Sequence, residues 1–206
     1  MLLLVCVFLV ACGSKKAQSP AATTAATATT SSAATTTSAA TTTTTSTGPG
    51  ALQAEVAATG AGDIPDNQVF VVYSGKSFGM KFPEGWTQSG RADNVTFRDK
   101  NNIVRVVIVP GGAPTIASVK TELTALKSAQ AVSAPTTLSI GGVPAVKVSY
   151  KTTGAANAVT GKRLTLNVDR YELAKSGKRV IVDLGSPVGV DNIDAYRLMI
   201  QSLRVK

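Results

Sequence analysis

The sequence predicts an α+β fold, an antiparallel β-sheet with helices packed on it, over residues 67–206. Three observations predict it. Apolar residues recur at every second position along most of this stretch, as they do when a strand alternates between a core and a wetter face. Glycine-bearing pairs, Gly141-Gly142 and Ser176-Gly177, interrupt the alternation where two-residue hairpins belong. Two segments, one midway and one terminal, carry apolar residues at helical spacing instead. The stretch is long enough for one domain with one core.

Each element follows in order. Phe78, Met80 and Phe82 alternate with Gly79 and Lys81, and Pro83 with Gly85 ends that strand. Val95 and Phe97 alternate with Asn94, Thr96 and Arg98; Asp99 to Asn102 supplies a turn, and Ile103 to Val109 reads as a more fully buried strand. Ile116, Val119, Leu123 and Leu126 share one helical face, with Thr115 or Ser118 as N-cap. Leu138 and Ile140 lead through Gly141-Gly142 into a strand whose Val146, Val148 and Tyr150 oppose Lys147, Ser149 and Lys151. Leu164, Leu166 and Val168 form the next strand, and the shift of apolar phase to Tyr171 and Leu173 predicts a bulge near Asp169-Arg170. Ser176-Gly177 then turns the chain into Val180, Val182 and Leu184. A last helix starts at an Asp191 N-cap and places Ile193, Tyr196, Ile200 and Leu203 on one stripe.

Ahead of this domain, residues 12–66 read as a linker, and from Ser14 to about Gly62 its composition is almost wholly Thr, Ala, Ser and Gly. Such a stretch carries too little large apolar surface to offset the entropy of ordering it, which predicts a disordered stalk dispensable for folding. Some fifty flexible residues reach roughly 40 Å end to end. The Thr-rich tract fits an O-glycosylated stalk or a plain spacer equally well.

Residues 1–11 read as a signal peptide. The apolar run from Leu2 to Ala11 spans about 15 Å as a helix, half the bilayer hydrocarbon, so it cannot cross a membrane alone. Leu9-Val10-Ala11-Cys12 resembles the bacterial lipobox. The resemblance implies cleavage before Cys12, a lipid on its sulfur, and display on the extracytoplasmic face of the cell membrane. Two or three acyl chains would anchor firmly where one anchors marginally. No Lys or Arg precedes the run, so we expect the natural start to lie upstream.

The two cysteines are Cys6 and Cys12, which leaves the mature domain without a thiol; disulfides, a Cys nucleophile and a Cys-based metal site are excluded for it. The chain also has no His, the commonest general base and transition-metal ligand. This double absence argues against an enzyme, and no cofactor is expected.

The stretch Phe78-Gly79-Met80-Lys81-Phe82-Pro83-Glu84-Gly85-Trp86 resembles the aromatic-x-x-x-aromatic-Pro-x-Gly-Trp opening of PsbP-like domains. Gly142-Val143-Pro144-Ala145 before a strand ending in Tyr150, the long hairpin after it, and a terminal helix closing on Ile200-Gln201-Ser202-Leu203 match the same order. The resemblance runs from about Val69 to Val205 and implies a PsbP-like α/β/α sandwich. That fold is shared by the PsbP subunit of photosystem II, a Ran-binding import factor and many bacterial lipoproteins, so it implies no activity. Trp86 is then a packing residue.

Charge is the remaining clue. The chain carries 21 Lys and Arg against 12 Asp and Glu, a net +9. The candidate ligand-binding cations are Lys147 and Lys151 on one strand face and Lys175, Lys178 and Arg179 at a hairpin end. A basic extracytoplasmic domain accumulates near anionic lipid or wall polymer, unless the charge only keeps the protein soluble. Asp169 and Glu172 with Asp183 on the facing strand suit a divalent cation through oxygen; ordinary ion pairs with Arg170 and Arg179 are the simpler expectation. Nucleic acid is not expected, because export removes it and no aromatic–basic stacking platform is present.

The expected function is therefore a membrane-anchored, non-catalytic binding module for an envelope protein or an anionic envelope component. The alternatives are an enzyme using Ser and Lys or carboxylates, and a purely structural wall spacer. A pocket with a Ser or carboxylate near a Lys favours the first alternative.

Overall fold

A computed structural model describes Gly50, Leu52 and residues 62–206. The chain divides into units 1–42 and 43–206, and every described residue belongs to the second. The signal peptide, Cys12 and most of the predicted stalk lie outside the described residues.

The domain opens with strands β1 (Phe70–Ser74), β2 (Phe78–Pro83), β3 (Thr87–Arg91), β4 (Asn94–Asp99) and β5 (Asn102–Pro110), then helix α1 (Ile116–Ala125). It continues with β6 (Ala129–Ala131), β7 (Thr136–Ile140), β8 (Val143–Thr153), β9 (Thr165–Lys175) and β10 (Lys178–Pro187), and closes on α2 (Ile193–Gln201) and β11 (Arg204–Val205). The large sheet runs β3-β4-β5-β10-β9-β8-β6, with β7 on the same edge of β8 as β6; a small sheet runs β1-β2-β11. All pairings are antiparallel. The predicted α+β class is the observed one.

Local chemistry accounts for the elements that were legible. Gly141 and Gly142 take φ of 56° and 81°, so the β7–β8 turn has the mirror-image twist that joins two right-twisted strands directly. Thr115 caps α1 through a reciprocal pair with Ser118, each side chain meeting the other's backbone N–H at 3.0 Å. Val119 and Leu123 are the buried residues of that helix.

Alternation along the strands divides the large sheet into two faces. One carries Val104, Val106, Tyr171, Leu173, Val180, Val182 and Leu184, packed with Phe78, Met80, Trp86 and the α2 residues Tyr196, Met199 and Ile200. The other carries Ile103, Val146, Val148, Tyr150, Leu166 and Val168, packed with Val119 and Leu123 of α1 and with Leu52. Trp86 is thus a core residue.

Several expectations are corrected by this arrangement. No bulge interrupts β9: its register with β10 is constant from Lys175 opposite Lys178 to Leu166 opposite Pro187. The apolar phase shifts because the two ends of β9 are covered from opposite faces, by the Leu52–α1 layer at Leu166 and Val168 and by the α2 side at Tyr171 and Leu173. The N-cap of α2 is Asn192, and Asp191 accepts only the Ile193 N–H at 3.2 Å. Ile193 is 68 % exposed, and Met199 takes the buried place on the helix instead. The predicted linker also meets the core. Leu52, inside residues 12–66, is 3 % exposed, so the stalk is not free of the domain throughout.

The α1 face holds a buried charge cluster at its centre. Asp183 of β10 lies between Arg105 of β5 and Arg170 of β9, its register neighbours on either side. Arg105 Nη2 reaches Asp183 Oδ2 at 2.7 Å, and Arg170 Nε reaches Oδ1 at 2.8 Å. The Tyr150 hydroxyl donates to Oδ1 at 3.2 Å. Further along, Arg179 pairs with the buried Glu172 and, at 2.8 Å, with Glu122 of α1. Within this group Arg105, Arg170 and Arg179 are set against Asp183, Glu172 and Glu122. Burial drives the Asp183 carboxyl up, but Arg170 and Arg105 outweigh it and hold it below the usual carboxylate range.

Removing one partner of such a group leaves the others charged in a dry site, which costs about 3–5 kcal/mol. Asp183→Asn is expected to lose that much in urea unfolding of the intact chain. A loss under about 1 kcal/mol would show that the cluster is wet or unpaired.

Candidate binding cleft

The α2 side of the sheet is only partly covered. The small sheet and α2 pack over part of this face, and the stretch of β8 and β9 from Lys147 to Lys151 and from Asn167 to Tyr171 is left as one wall of a cleft of about 710 Å³. The N-terminal end of α2 and the preceding loop form the opposite wall, with Val190, Asn192, Ile193, Tyr196 and Arg197; Val132 after β6 stands at the rim. Outward-facing residues of β8 and β9, namely Lys147, Ser149, Lys151, Asn167, Asp169 and Tyr171, line the floor. They share this face because they sit at alternate positions opposite to Val146, Val148, Tyr150, Val168 and Arg170.

The floor is internally paired. Asp169 accepts from Ser149 Oγ at 2.5 Å and from Lys147 Nζ at 2.7 Å, and both ends of the ion pair are one-third exposed. Lys147 Nζ also stands 5.4 Å from the centre of the Tyr171 ring. Partial burial pulls the Lys147 amine down, yet Asp169 more than offsets it and the amine holds its proton above the usual lysine range. Burial raises the Tyr171 hydroxyl. The far wall is equally fixed. Asn192 donates to Ser186 Oγ at 2.9 Å and to Asn102 Oδ1 at 3.0 Å, and accepts from the Ile64 N–H at 2.8 Å. The Tyr196 hydroxyl donates to the Gly185 carbonyl at 2.8 Å.

The five cations singled out in the sequence therefore have different fates. Lys147 and Lys151 both line the cleft, the first paired with Asp169 and the second exposed. Lys178 is exposed at the β9–β10 turn, while Lys175 donates to the Val205 carbonyl at 2.8 Å. Arg179 is not a surface cation: it is 16 % exposed and bound to Glu172 and Glu122. The acidic trio does not converge on a cation either. Asp169 lies on the cleft face, whereas Glu172 and Asp183 lie on the α1 face and pair with arginines. Sequence reading missed Asn192, Tyr196 and Arg197, because nothing local marks which end of α2 overhangs an uncovered strand.

Chemically, the cleft can hold a ligand through apolar contact with Val132, Val190, Ile193 and Tyr171 and through exposed positive charge at Lys151. Ser149 and Asp169 touch, and the Asp169 ion pair favours the protonated form of Lys147, the opposite of what a base for a serine nucleophile needs.

No protein-family model and no curated protein matches this chain. Solved structures similar to it include the solution structure of cyanobacterial PsbP from Synechocystis, at 13 % identity and a TM-score of 0.46, covering 70 % of this chain and 98 % of that one. LpqN of Mycobacterium tuberculosis, described as involved in cell envelope biogenesis, aligns at 14 % identity and a TM-score of 0.38, covering 68 % and 91 %. A Bacteroides thetaiotaomicron protein aligns at 15 % identity and a TM-score of 0.44, covering 66 % of this chain. The chain spans about half the length of that last protein. Likeness at this level carries no activity across.

The Lys147 amine yields a pH prediction. A cation with a raised folded-state pKa contributes stability that is fully present below the unfolded value near 10.5 and is lost as pH rises through the folded value. The Lys147 resonance is expected to titrate above that of free lysine, and Asp169→Asn is expected to bring it down. Titration at the free-lysine position in the unsubstituted chain would show that the pair does not form in solution.

Proposed function

We propose that this protein is a lipid-anchored, extracytoplasmic binding module whose cleft beside α2 takes up an envelope component, without catalysis. The observation that supports it best is the state of the cleft. Its only serine–carboxylate–lysine grouping among the described residues is closed on itself with the amine protonated, while Val132, Val190, Ile193 and Lys151 remain open to a ligand. Such a surface suits binding, and the Asp169 ion pair works against Lys147 as a base. The anchor rests on the lipobox-like Leu9-Val10-Ala11-Cys12, and among the described residues no helix is long and apolar enough to cross a membrane.

The second reading, an enzyme, is favoured by one specific observation, the Ser149–Asp169 hydrogen bond of 2.5 Å. It requires Lys147 to give up its proton near neutral pH, against the direction set by Asp169.

Two experiments separate these claims. In cells that express the chain, Cys12→Ala is expected to abolish acyl labelling and release the protein from the membrane; unchanged labelling removes the anchor. For the domain, the soluble Cys12→Ser chain is expected to bind phosphatidylglycerol vesicles at low salt. Binding should fall steeply as the Debye length shrinks from about 10 Å at 0.1 M to about 3 Å at 1 M salt. Lys151→Ser and Lys178→Ser should each weaken it by about 1 kcal/mol or less, since both are exposed. A chain that ignores anionic vesicles even at low salt would make its +9 a solubility feature and put a protein partner first.

A further inference from the structure

The α1 face contains a feature that neither the cleft nor the anchor explains. Arg105 and Arg170 both direct a guanidinium nitrogen at the Gly50 carbonyl oxygen, at 3.0 Å from Arg170 Nη2. Two residues on, the Leu52 N–H donates to the Tyr150 hydroxyl at 3.0 Å, and that hydroxyl in turn donates to Asp183. The Leu52 side chain is 3 % exposed and belongs to the apolar cluster with Ile103, Val119, Leu123 and Leu166. The sheet makes room for it: Gly185 has no Cβ, and one built there would lie 2.6 Å from Leu52 Cδ2.

A carbonyl, an N–H two residues later and a leucine side chain are together what a receptor reads in an extended peptide. The carbonyl and the N–H are met by Arg105, Arg170 and Tyr150, all held by Asp183, and the side chain by the apolar cluster beside Gly185. Composition gives the segment no reason to fold here on its own, since Thr, Ala, Ser and Gly dominate the chain before it. Among the described residues of this segment, Leu52 supplies the apolar side chain that the domain takes in.

We propose that the α1 face holds a peptide-binding site, built from Arg105, Arg170, Tyr150 and the leucine pocket beside Gly185, and that its occupant is the chain's own Gly50–Leu52 segment. The segment works as a strap: it fastens the linker to the sheet at Gly50 and Leu52 and covers the paired arginines. The site recognises a backbone carbonyl and a leucine, so the same segment is bound whether or not it is covalently continuous with the domain.

The test uses the full soluble chain with a protease site placed between residues 54 and 60. After cleavage, the N-terminal fragment is expected to co-elute with the folded domain, and a synthetic peptide of residues 48–55 is expected to displace it. The same peptide carrying Leu52→Ala should be at least about thirtyfold weaker, the lower end of what losing a buried leucine does. A fragment that separates at once from a domain melting at its original temperature overturns the proposal. If the cleaved domain does not stay folded, the uncleaved Leu52→Asp chain decides. A melting midpoint lowered by several degrees supports the strap, and an unchanged midpoint overturns it.

Discussion

Asp183 is the residue on which the described structure most depends. A carboxylate at the centre of a sheet, fully buried, is tolerated only when opposite charges and hydrogen bonds replace its water. Here β5 and β9, the two neighbours of β10, each bring an arginine to the same height, and β8 adds a tyrosine hydroxyl. The strand order of the large sheet is thereby tied to chemistry. A slip of β9 against β10 by one residue would turn Arg170 to the other face and leave Asp183 short of one partner. The cluster adds specificity to a sheet whose apolar residues, mostly valine and isoleucine, would pack acceptably in more than one register. It also prepares the surface on which Gly50 and Leu52 sit.

Much of the fold was legible in the sequence, for reasons that can be stated residue by residue. The β7–β8 hairpin was readable because two consecutive glycines announce a turn with positive φ at both positions. β5 was readable as a buried strand because both its faces are covered, by α2 on one side and by the α1 layer on the other. The same double coverage misled the reading of β9, where a change of covering layer imitated a bulge. α2 shows a different limit. Asp191 and Asn192 are equally good capping residues by type, and it is Asn192, held in a tertiary network with Ser186, Asn102 and Ile64, at which the helix starts. β3 was invisible, since Thr87–Arg91 is exposed along its whole length and carries no apolar pattern.

The candidate sites were less legible than the fold. Charged residues look alike in a sequence, and their roles depend on which face they reach. Arg179 and Lys178 are adjacent in the chain, yet the first sits in the buried cluster and the second in solvent. Asp169 and Glu172, three residues apart on a strand, necessarily face opposite ways. The stalk was judged by average composition, which is sound for Thr and Ala but passes over a single leucine with a pocket waiting for it. Two surfaces result, with separate chemistries: an open cleft on the α2 side and a filled peptide site on the α1 side.

The account turns on Asp183 being ionised and held by Arg105 and Arg170. Its carboxyl carbon can be followed directly by NMR through an acid titration of the folded chain. A carboxyl held by two guanidiniums stays ionised below the ordinary range near 3.9, and its contribution to stability is lost only as pH falls through that lowered value. We expect no change in the Asp183 signal until the pH is well under that of the exposed carboxylates. Titration at or above their range would mean that burial outweighs the arginines, and the cluster would then not be what orders the sheet.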